Sequence, residues 1–417
     1  MAFDVSRVRA AYPALRDGNA YLDGAAGTQV SDAVIEAIAD AYLRGIGNVG
    51  GAFAASKRSA GIVARCRSAV ADLVGGVPEG VILGPSMTAL TYRLAVVLSR
   101  RWAPGDSIVL SRLDHDANIR PWVQAADRVG ADVHWADVDP ATGELDTAQY
   151  QNLVDSRTRL VAVTAASNIL GTRPDVPAIA ELAHNVGALV YVDGVHATPH
   201  TPVSMTDLGA DFYATSAYKW VGPHVAAVIA SPETLEPLRP DKLVPSPDDV
   251  PERFERGTLP YADLAGMAAA VEHLAGLASV MVSGSTSGGS GGVVPPGEHG
   301  ASRRSRLLAS MAEVESYELG LFGHLVDGLA AMSHVTLYGK AGRRTPTAYF
   351  NVAGHAPGEV AAALGARGVN VWSGDNYAYE LVRVLGLQNG GAVRAGLVHY
   401  NDATDVERLL SAVAGLR

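Results

Sequence analysis

The sequence predicts an α/β protein in which a mainly parallel sheet lies between helices. Short apolar runs recur along the first part of the chain, and Ala- and Leu-rich, helix-like stretches separate them. Two of these runs, 159–165 and 188–193, are apolar almost throughout, as strands buried on both faces must be. Strands that alternate with helices indicate a parallel sheet covered on both sides. The predicted strands are 81–84, 107–111, 159–165, 188–193, 211–216 and 225–231, and helix-like stretches include 115–130 and 173–187.

A break in composition indicates where the chain divides. Residues 281–304 are rich in Gly, Ser and Pro and cannot bury enough surface to order themselves, so we expect a flexible loop there. A long helical pattern over 305–330 and a smaller lobe follow. The expected organisation is an N-terminal segment packing near the small domain (1–20), a large domain (21–275), the loop (281–304) and a small C-terminal domain (305–417).

Composition and charge exclude several classes of protein. Of the 417 residues, 48% are hydrophobic and 18% charged, so a large core is expected and global disorder is excluded. The net charge of −10 argues against nucleic acid as a partner. A single cysteine, Cys66, excludes an intramolecular disulfide and favours a reducing compartment. No signal-peptide pattern and no run of 18 apolar residues is found, so we expect a cytoplasmic protein without membrane segments.

Polar side chains follow several of the predicted strands. In open α/β sheets, ligands bind at the carboxyl ends of the strands, so these side chains are expected to share one rim. Each has an ordinary structural explanation when it is taken alone, such as a helix cap or a solvated surface charge. Their convergence on one rim is what favours a site. The residues concerned are His115, Asn168, Asp193, His196, Ser216, Tyr218 and Lys219.

The turn Ser86, Met87 and Thr88 follows the first of these strands and opens a helix-like run. Hydroxyls and free backbone N–H groups at a helix start suit a phosphate, although such residues are more often plain caps. Together with a lysine, an aspartate and a polar amide, this turn supplies what pyridoxal phosphate (PLP) chemistry uses. The lysine forms a Schiff base with the aldehyde, and the aspartate keeps the pyridine nitrogen protonated.

Seven stretches spanning nearly the whole chain carry a family resemblance. They are YLDGAAGTQ (21–29), RLDHDANIRPW (112–122), SNILGT (167–172), VDGVHATPH (192–200), SAYKWVGP (216–223), FERGT (254–258) and VRAGLVHYN (393–401). With them the chain resembles class V aminotransferases of PLP fold type I, in the cysteine desulfurase-like branch. The resemblance implies pyridoxal 5'-phosphate as cofactor and a small amino-acid substrate. It also implies a large domain with a mainly parallel seven-stranded sheet, a smaller C-terminal α+β domain, and a homodimer with a shared active site.

The resemblance also implies roles for individual residues on the cofactor side. Lys219 is the Schiff-base lysine and proton shuttle, Asp193 pairs with the pyridine nitrogen, and His115 stacks on the ring and relays protons. Asn168 lies near the ring hydroxyl and the substrate carboxylate. The other cofactor-binding positions are His196, where relatives usually keep Gln, Tyr218 next to the lysine, and Ser216 with the Ser86, Met87 and Thr88 turn for the phosphate. Which hydroxyl of Ser86 and Thr88 binds the phosphate stays open.

Further positions match the substrate side and the subunit interface of the family. Arg394 matches the arginine that binds the substrate carboxylate through its bidentate fork. Gly257 and Thr258 match a segment that reaches the phosphate of the partner subunit. Residues expected to line the substrate side are Ala26, Gly27 and Tyr377.

The sequence departs from desulfurases at the position of their nucleophilic cysteine. Tyr377 stands there, and Trp372 replaces an arginine five residues earlier. Cys66 lies in a helix-like run and is expected to be a small buried residue. Because a thiolate takes the sulfur in desulfuration, persulfide formation is not expected here. Two smaller departures, Tyr218 in place of His and Leu259 in place of Pro, indicate tuning of the site.

Several functions remain open from the sequence. Removal of the Cα proton through PLP leads to a carbon–sulfur (β) lyase, which needs only Lys219 and an acid such as His115 or Tyr377, or to an aminotransferase. These two outcomes are favoured and not ranked. The alternatives are an amino-acid racemase or epimerase, and a non-catalytic PLP-fold binding protein, against which the retained Lys219 and Asp193 argue. An NAD-dependent dehydrogenase is disfavoured because no G-x-G-x-x-G follows an early strand.

Overall fold

The computed structural model describes residues 3–278 and 301–416. Its strands are β1 Ala20–Tyr21, β2 Val81–Gly84, β3 Ser107–Ser111, β4 Asp132–Ala136, β5 Thr158–Thr164, β6 Leu189–Asp193, β7 Phe212–Ser216, β8 Ala226–Ala230, β9 Val335–Tyr338, β10 Thr347–Val352, β11 Val369–Asn370, β12 Trp372–Gly374 and β13 Ala392–Gly396. Its α-helices are α1 Val5–Ala10, α2 Asp32–Leu43, α3 Ala54–Val74, α4 Met87–Ser99, α5 Arg120–Val129, α6 Tyr150–Leu153, α7 Val176–His184, α8 Pro232–Leu235, α9 Tyr261–Gly276, α10 Arg303–Ala330, α11 Pro357–Gly365, α12 Tyr379–Val384 and α13 Ala403–Ala414.

A seven-stranded sheet forms the centre of the large lobe, with the strand order β2-β8-β7-β6-β5-β3-β4. Five neighbouring strands, β7 to β4 in this order, are parallel, whereas β8 runs antiparallel to both of its neighbours. The predicted mainly parallel seven-stranded sheet is therefore confirmed.

Alternation along the central strands explains why their sequence is apolar throughout. Val161 and Val163 of β5 join one apolar core, and Leu160 and Ala162 join another on the opposite face of the sheet. Successive side chains of a strand point to opposite faces, so a sheet covered on both sides buries every residue of its middle strands.

The C-terminal lobe is built on a smaller antiparallel sheet, β12-β13-β10-β9. Its core includes Phe322 and Leu325 of α10, Phe350 of β10 and Leu409 of α13. The N-terminal segment reaches this lobe, because β1 pairs with β11 in parallel. No helix in the described ranges is long and apolar enough to cross a membrane.

Helix α10 begins earlier than expected. Arg303 and Arg304 were placed by sequence at the end of the loop 281–304, but they form the first turn of this helix. Arg303 makes ion pairs with Asp72 and Glu272, and Arg304 donates to backbone carbonyls of the large lobe. These contacts order the two arginines, so the expectation was wrong for them. The predicted loop residues 281–300 lie outside the described residues.

Close backbone packing at Gly80 gives a test of the sheet. A Cβ at this position would lie 1.8 Å from the carbonyl oxygen of Ala230 at the end of β8. We expect Gly80→Ala to destabilise the fold by about 1–3 kcal/mol, because backbone atoms would have to move. The matched control is Gly320→Ala in α10, where a Cβ meets open space and about 0.5–1 kcal/mol of stabilisation is expected. Urea denaturation checks both, and equal midpoints would contradict the packing.

Candidate active site

Two cavities meet at the carboxyl ends of the central strands. They have Thr88, His115, Asn168, Tyr218 and Lys219 in common. The smaller, of about 70 Å³, extends into the large lobe, and the larger, of about 760 Å³, extends towards the small lobe. The smaller cavity also has Ser86, Met87, Asp193, His196 and Ser216 in its wall, and the larger has Ala26, Trp372, Tyr377 and Arg394.

Lys219 ends the short 3-10 turn that follows β7. Its Nζ donates to the carbonyl oxygen of Ala25 at 2.5 Å. Burial, and next the positive charge of Arg394, lower the pKa of Lys219 to about 7, against the opposing effects of Asp193 and Asp23. Near neutral pH a substantial share of Lys219 is therefore the free amine, which is the nucleophilic form.

Asp193 is the last residue of β6, and its Oδ1 accepts a hydrogen bond from the backbone N–H of Val195 at 2.9 Å. Burial raises the pKa of Asp193 to about 6, while Lys219 acts in the opposite direction. The carboxyl is mostly ionised at pH 7 and can accept a hydrogen bond from a protonated ring nitrogen. The next residue must be Gly194, because a Cβ there would lie 1.9 Å from the ring of Tyr213.

His115 follows β3, and its ring stacks on that of Tyr377, with centroids 5.5 Å apart and planes at 25°. Burial, and then the charges of Lys219 and Arg394, lower the pKa of His115 to about 3, so the imidazole is neutral. Its Nδ1 accepts from the backbone N–H of Ala117 at 3.0 Å. The single proton of the ring therefore resides on Nε2, which is left as a donor.

Arg394 is a buried cation on β13 of the small lobe. Its Nη1 donates to the backbone carbonyl of Asn168 at 3.0 Å, which links the two lobes. Burial lowers the pKa of Arg394 to about 10, so the guanidinium stays charged. Within residues 3–278 and 301–416 it makes no salt bridge, and the buried Oδ1 of Asn168 has no hydrogen-bond partner. A carboxylate and a donor group are the partners that these two groups lack.

Helix α4 begins at Met87, and the Oγ of Ser86 caps it by accepting from the backbone N–H of Ala89 at 3.1 Å. The hydroxyl of Ser86 is thus occupied as a cap, whereas Thr88 lies in the walls of both cavities. The first turn of a helix leaves backbone N–H groups free to bind an anion. Lys219, Asp193, this helix start and the unpartnered Asn168 oxygen together fit PLP.

A strained loop forms part of the wall of the larger cavity. Asn376 and Tyr377 both have left-handed backbone conformations, with φ of 50° and 59°. Non-glycine residues adopt this region at a cost and usually where function requires it. Two hydrogen bonds hold the loop: the backbone N–H of Asp116 donates to Tyr377 O at 2.7 Å, and Asn168 Nδ2 donates to Asn376 O at 2.8 Å. Tyr377 is thereby held beside His115.

Four of the residues singled out by sequence lie outside the walls of these two cavities. Gly257 and Thr258 line a separate cavity of about 720 Å³ on the large lobe. Gly27 lies against the ring of Tyr218, and a Cβ there would be 3.3 Å from it. Cys66 is fully buried in α3, and burial raises the pKa of its thiol to about 12, so its expected role as a small buried residue is confirmed.

Sequence reasoning overlooked other residues of the site. Asp23 has a buried oxygen without a partner among the described residues, and burial raises the pKa of Asp23 to about 6. It belongs to the stretch 21–29, which was the available signal. Arg120 lies in the cavity wall with ion pairs to Asp116 and Glu380, and it belongs to the stretch 112–122, which was the available signal.

Comparison with known proteins agrees with this geometry. The family model for aminotransferase class-V matches residues 20–283 and 304–409. The chain belongs to the class V aminotransferase family. It is accordingly a PLP-dependent transferase or lyase, with pyridoxal 5'-phosphate as cofactor, which confirms the expected cofactor and fold type.

Three proteins similar to this class V enzyme match it along nearly their whole length. An uncharacterized protein from Mycobacterium tuberculosis, MT3887, is 36% identical over 100% of both chains. A cysteine desulfurase from Klebsiella pneumoniae subsp. pneumoniae is 31% identical, covering 100% of this chain and 99% of the relative. The solved apo structure of a cysteine desulfurase from Thermococcus onnurineus NA1 has a TM-score of 0.87 and 25% identity, covering 100% and 98%.

The coupling between Arg394 and Lys219 can be tested in the cofactor-free protein. Because Arg394 lowers the pKa of Lys219, we expect Arg394→Gln to move the pH midpoint for reaction of Lys219 with added PLP upwards from about 7. Stopped-flow absorbance gives this midpoint. Arg120→Gln is the control, since Arg120 lies on the same cavity but is already paired with carboxylates. A midpoint that stays or falls in Arg394→Gln would contradict the coupling.

Proposed function

We propose that this enzyme cleaves the Cβ–S bond of an amino acid as a β-lyase that forms no persulfide. The observation that carries the proposal is the stacking of Tyr377 on His115 at the mouth of the Lys219 cavity. This arrangement supplies one acid, the hydroxyl of Tyr377, and one hydrogen-bond donor, the Nε2–H of neutral His115, in the wall of the same cavity. The only cysteine, Cys66, is buried in α3 and cannot take over sulfur there.

Substrate binding follows from the groups that lack partners. Arg394 binds the α-carboxylate with its bidentate fork, and the carbonyl oxygen of the Asn168 side chain accepts a hydrogen bond. The side chains of Trp372 and Tyr377 are 54% and 72% exposed and leave an open route for the Cβ substituent. The cavity of about 760 Å³ lies in the size range of pockets for whole small molecules.

Two proton transfers accomplish the reaction. Lys219 and Asp193 would hold PLP, which would supply an electron sink for the electron pair of the Cα–H bond. The amine of Lys219 removes the Cα proton, the hydroxyl of Tyr377 gives a proton to the leaving sulfur, and the Nε2–H of the neutral His115 donates a hydrogen bond. The Cα–H and Cβ–S bonds break, a Cα=Cβ bond forms, and a thiol leaves. Hydrolysis of the resulting enamine gives a 2-keto acid and ammonia.

Product analysis tests this proposal. With L-cysteine and S-substituted cysteines, we expect a keto acid, ammonia and sulfide or thiol, with the visible band of the cofactor unchanged. Tyr377→Phe should lower kcat by about 10²-fold or more, because a general acid contributes at least this much. Tyr379→Phe is the control, since Tyr379 is exposed and lies outside the wall of the Lys219 cavity.

Other products would assign a different reaction to the same site. Conversion of the cofactor to its pyridoxamine form, with sulfur kept in the keto acid, would establish transamination instead. Recovery of the substrate as a racemate would establish racemisation. We expect the visible band to be absent only from Lys219→Ala. If the wild-type protein also lacks the band after PLP is added, the enzymatic proposal is overturned.

We further propose a homodimer whose two active sites are shared. Gly257 and Thr258 are exposed and do not reach Lys219 of their own chain. Exposed apolar side chains lie on the same lobe, among them Phe53, Leu243 and Val244. A second copy that covers this surface would bring Thr258 to the phosphate of the partner site.

Mixing two inactive variants tests the shared site. Thr258→Asp would place a carboxylate against the phosphate, and Lys219→Ala removes the amine. We expect each variant alone to be inactive. Random pairing should restore about one quarter of the wild-type activity, because half of the dimers would hold one intact site. The result could also be that activity does not recover, although subunit exchange is verified and both variants are dimeric. Each site would then use Thr258 of its own chain or none.

A further inference from the structure

A chain of buried polar side chains leads from the cofactor cavity into the junction of the two lobes. His196 lies in the wall of the smaller cavity, and its Nε2 is hydrogen-bonded to the hydroxyl of Thr347 on β10 at 2.9 Å. The ring of His200 meets the ring of His196 edge-on, with centroids 5.1 Å apart. Behind it, Nδ1 of His200 lies 2.7 Å from Oε2 of Glu318 on α10. None of the three ionisable groups is more than 4% exposed.

The contact between His200 and Glu318 requires a proton between the two groups. A buried carboxylate without a partner costs several kcal/mol, so the short contact to His200 is what compensates for the burial of Glu318. The arrangement places the imidazole towards His196 and the carboxylate away from it. The positive end of the pair therefore faces the cofactor cavity.

We propose that His200 and Glu318 form a positioning pair that keeps His196 neutral and fixes its ring at the edge of the bound cofactor. His196 is then a hydrogen-bonding group without charge, because a second positive charge beside His200 is unfavourable. Thr347 fixes the other side of the ring from the small lobe. The inference rests on the cofactor position proposed above and is independent of the bond that is cleaved.

The charged groups around His196 all lower its pKa, whereas those around Glu318 act in both directions. Burial, followed by His200, Lys219 and Arg394, lowers the pKa of His196 well below its ordinary value. On the far side, burial raises the pKa of Glu318, the adjacent Glu315 adds to this, and His200 opposes it. His399 also packs near the pair; burial lowers its pKa to about 3, so it adds no charge.

The pH titration of the visible cofactor band tests the pair without any substrate. Glu318→Gln removes the carboxylate and with it the proton that the pair shares, so the positive end that faces the cavity disappears. We expect the band midpoint to move upwards by about one pH unit, a tenfold change in the proton equilibrium. His200→Gln should give a shift of the same sign, because the unpaired Glu318 then takes up a proton. Thermal melts accompany both titrations.

The control is a second His–Glu pair that involves α10. His324 and Glu407 lie 2.6 Å apart, but both are exposed. Glu407→Gln should leave the band midpoint unchanged. Unchanged midpoints in both folded pair variants would overturn the proposal and leave the pair with a purely structural role. The proposal would also be overturned if the band midpoint moved in opposite directions in Glu318→Gln and His200→Gln. Such a result would show that His200 and Glu318 act on the cofactor as two independent charges.

Discussion

Burial of charge within one cleft is the constraint on which the active site depends. Lys219, Asp193 and Arg394 are all removed from water, and each would be costly there alone. Burial first, and then the charged neighbours, set the protonation state of each group: the lysine releases its proton easily, the aspartate keeps most of its charge, and the arginine stays ionised. The result is an amine, a carboxylate and a guanidinium held at working protonation states near neutral pH.

The fold brings these three charged side chains together from both lobes. Parallel strands deliver Asp193 and the Lys219 turn from the same edge of the central sheet, and α4 adds its N-terminus at that edge. The small lobe supplies Arg394. The hydrogen bond from Arg394 to the backbone carbonyl of Asn168 fixes the position of one lobe relative to the other. Displacement of the lobes by even an ångström would separate the guanidinium of Arg394 from the amine of Lys219.

The loop of Asn376 and Tyr377 is held in a strained backbone conformation beside the cavity. Two successive left-handed residues are held by hydrogen bonds to Asp116 and Asn168, which both neighbour the cofactor cavity. These hydrogen bonds hold the backbone of the loop so that the ring of Tyr377 stacks on His115. Tyr377 is the acid of the reaction that we propose, and the backbone strain of this loop is consistent with a functional position.

The sequence by itself determined the local features: the apolar strands, the polar residues that follow them, and the motif around Lys219. These follow from periodicity and from chemistry that neighbouring residues carry, so β5 and β6 were predictable to within one residue. Only the tertiary structure decided which distant groups touch. Tyr377 stacks on His115 although the two residues are 262 positions apart in the sequence, and Glu318 contacts His200 although they are 118 positions apart. Likewise, Arg303 enters α10 only because Asp72 and Glu272 lie beside it. Such contacts depend on how the lobes pack, and no local pattern of residues encodes them.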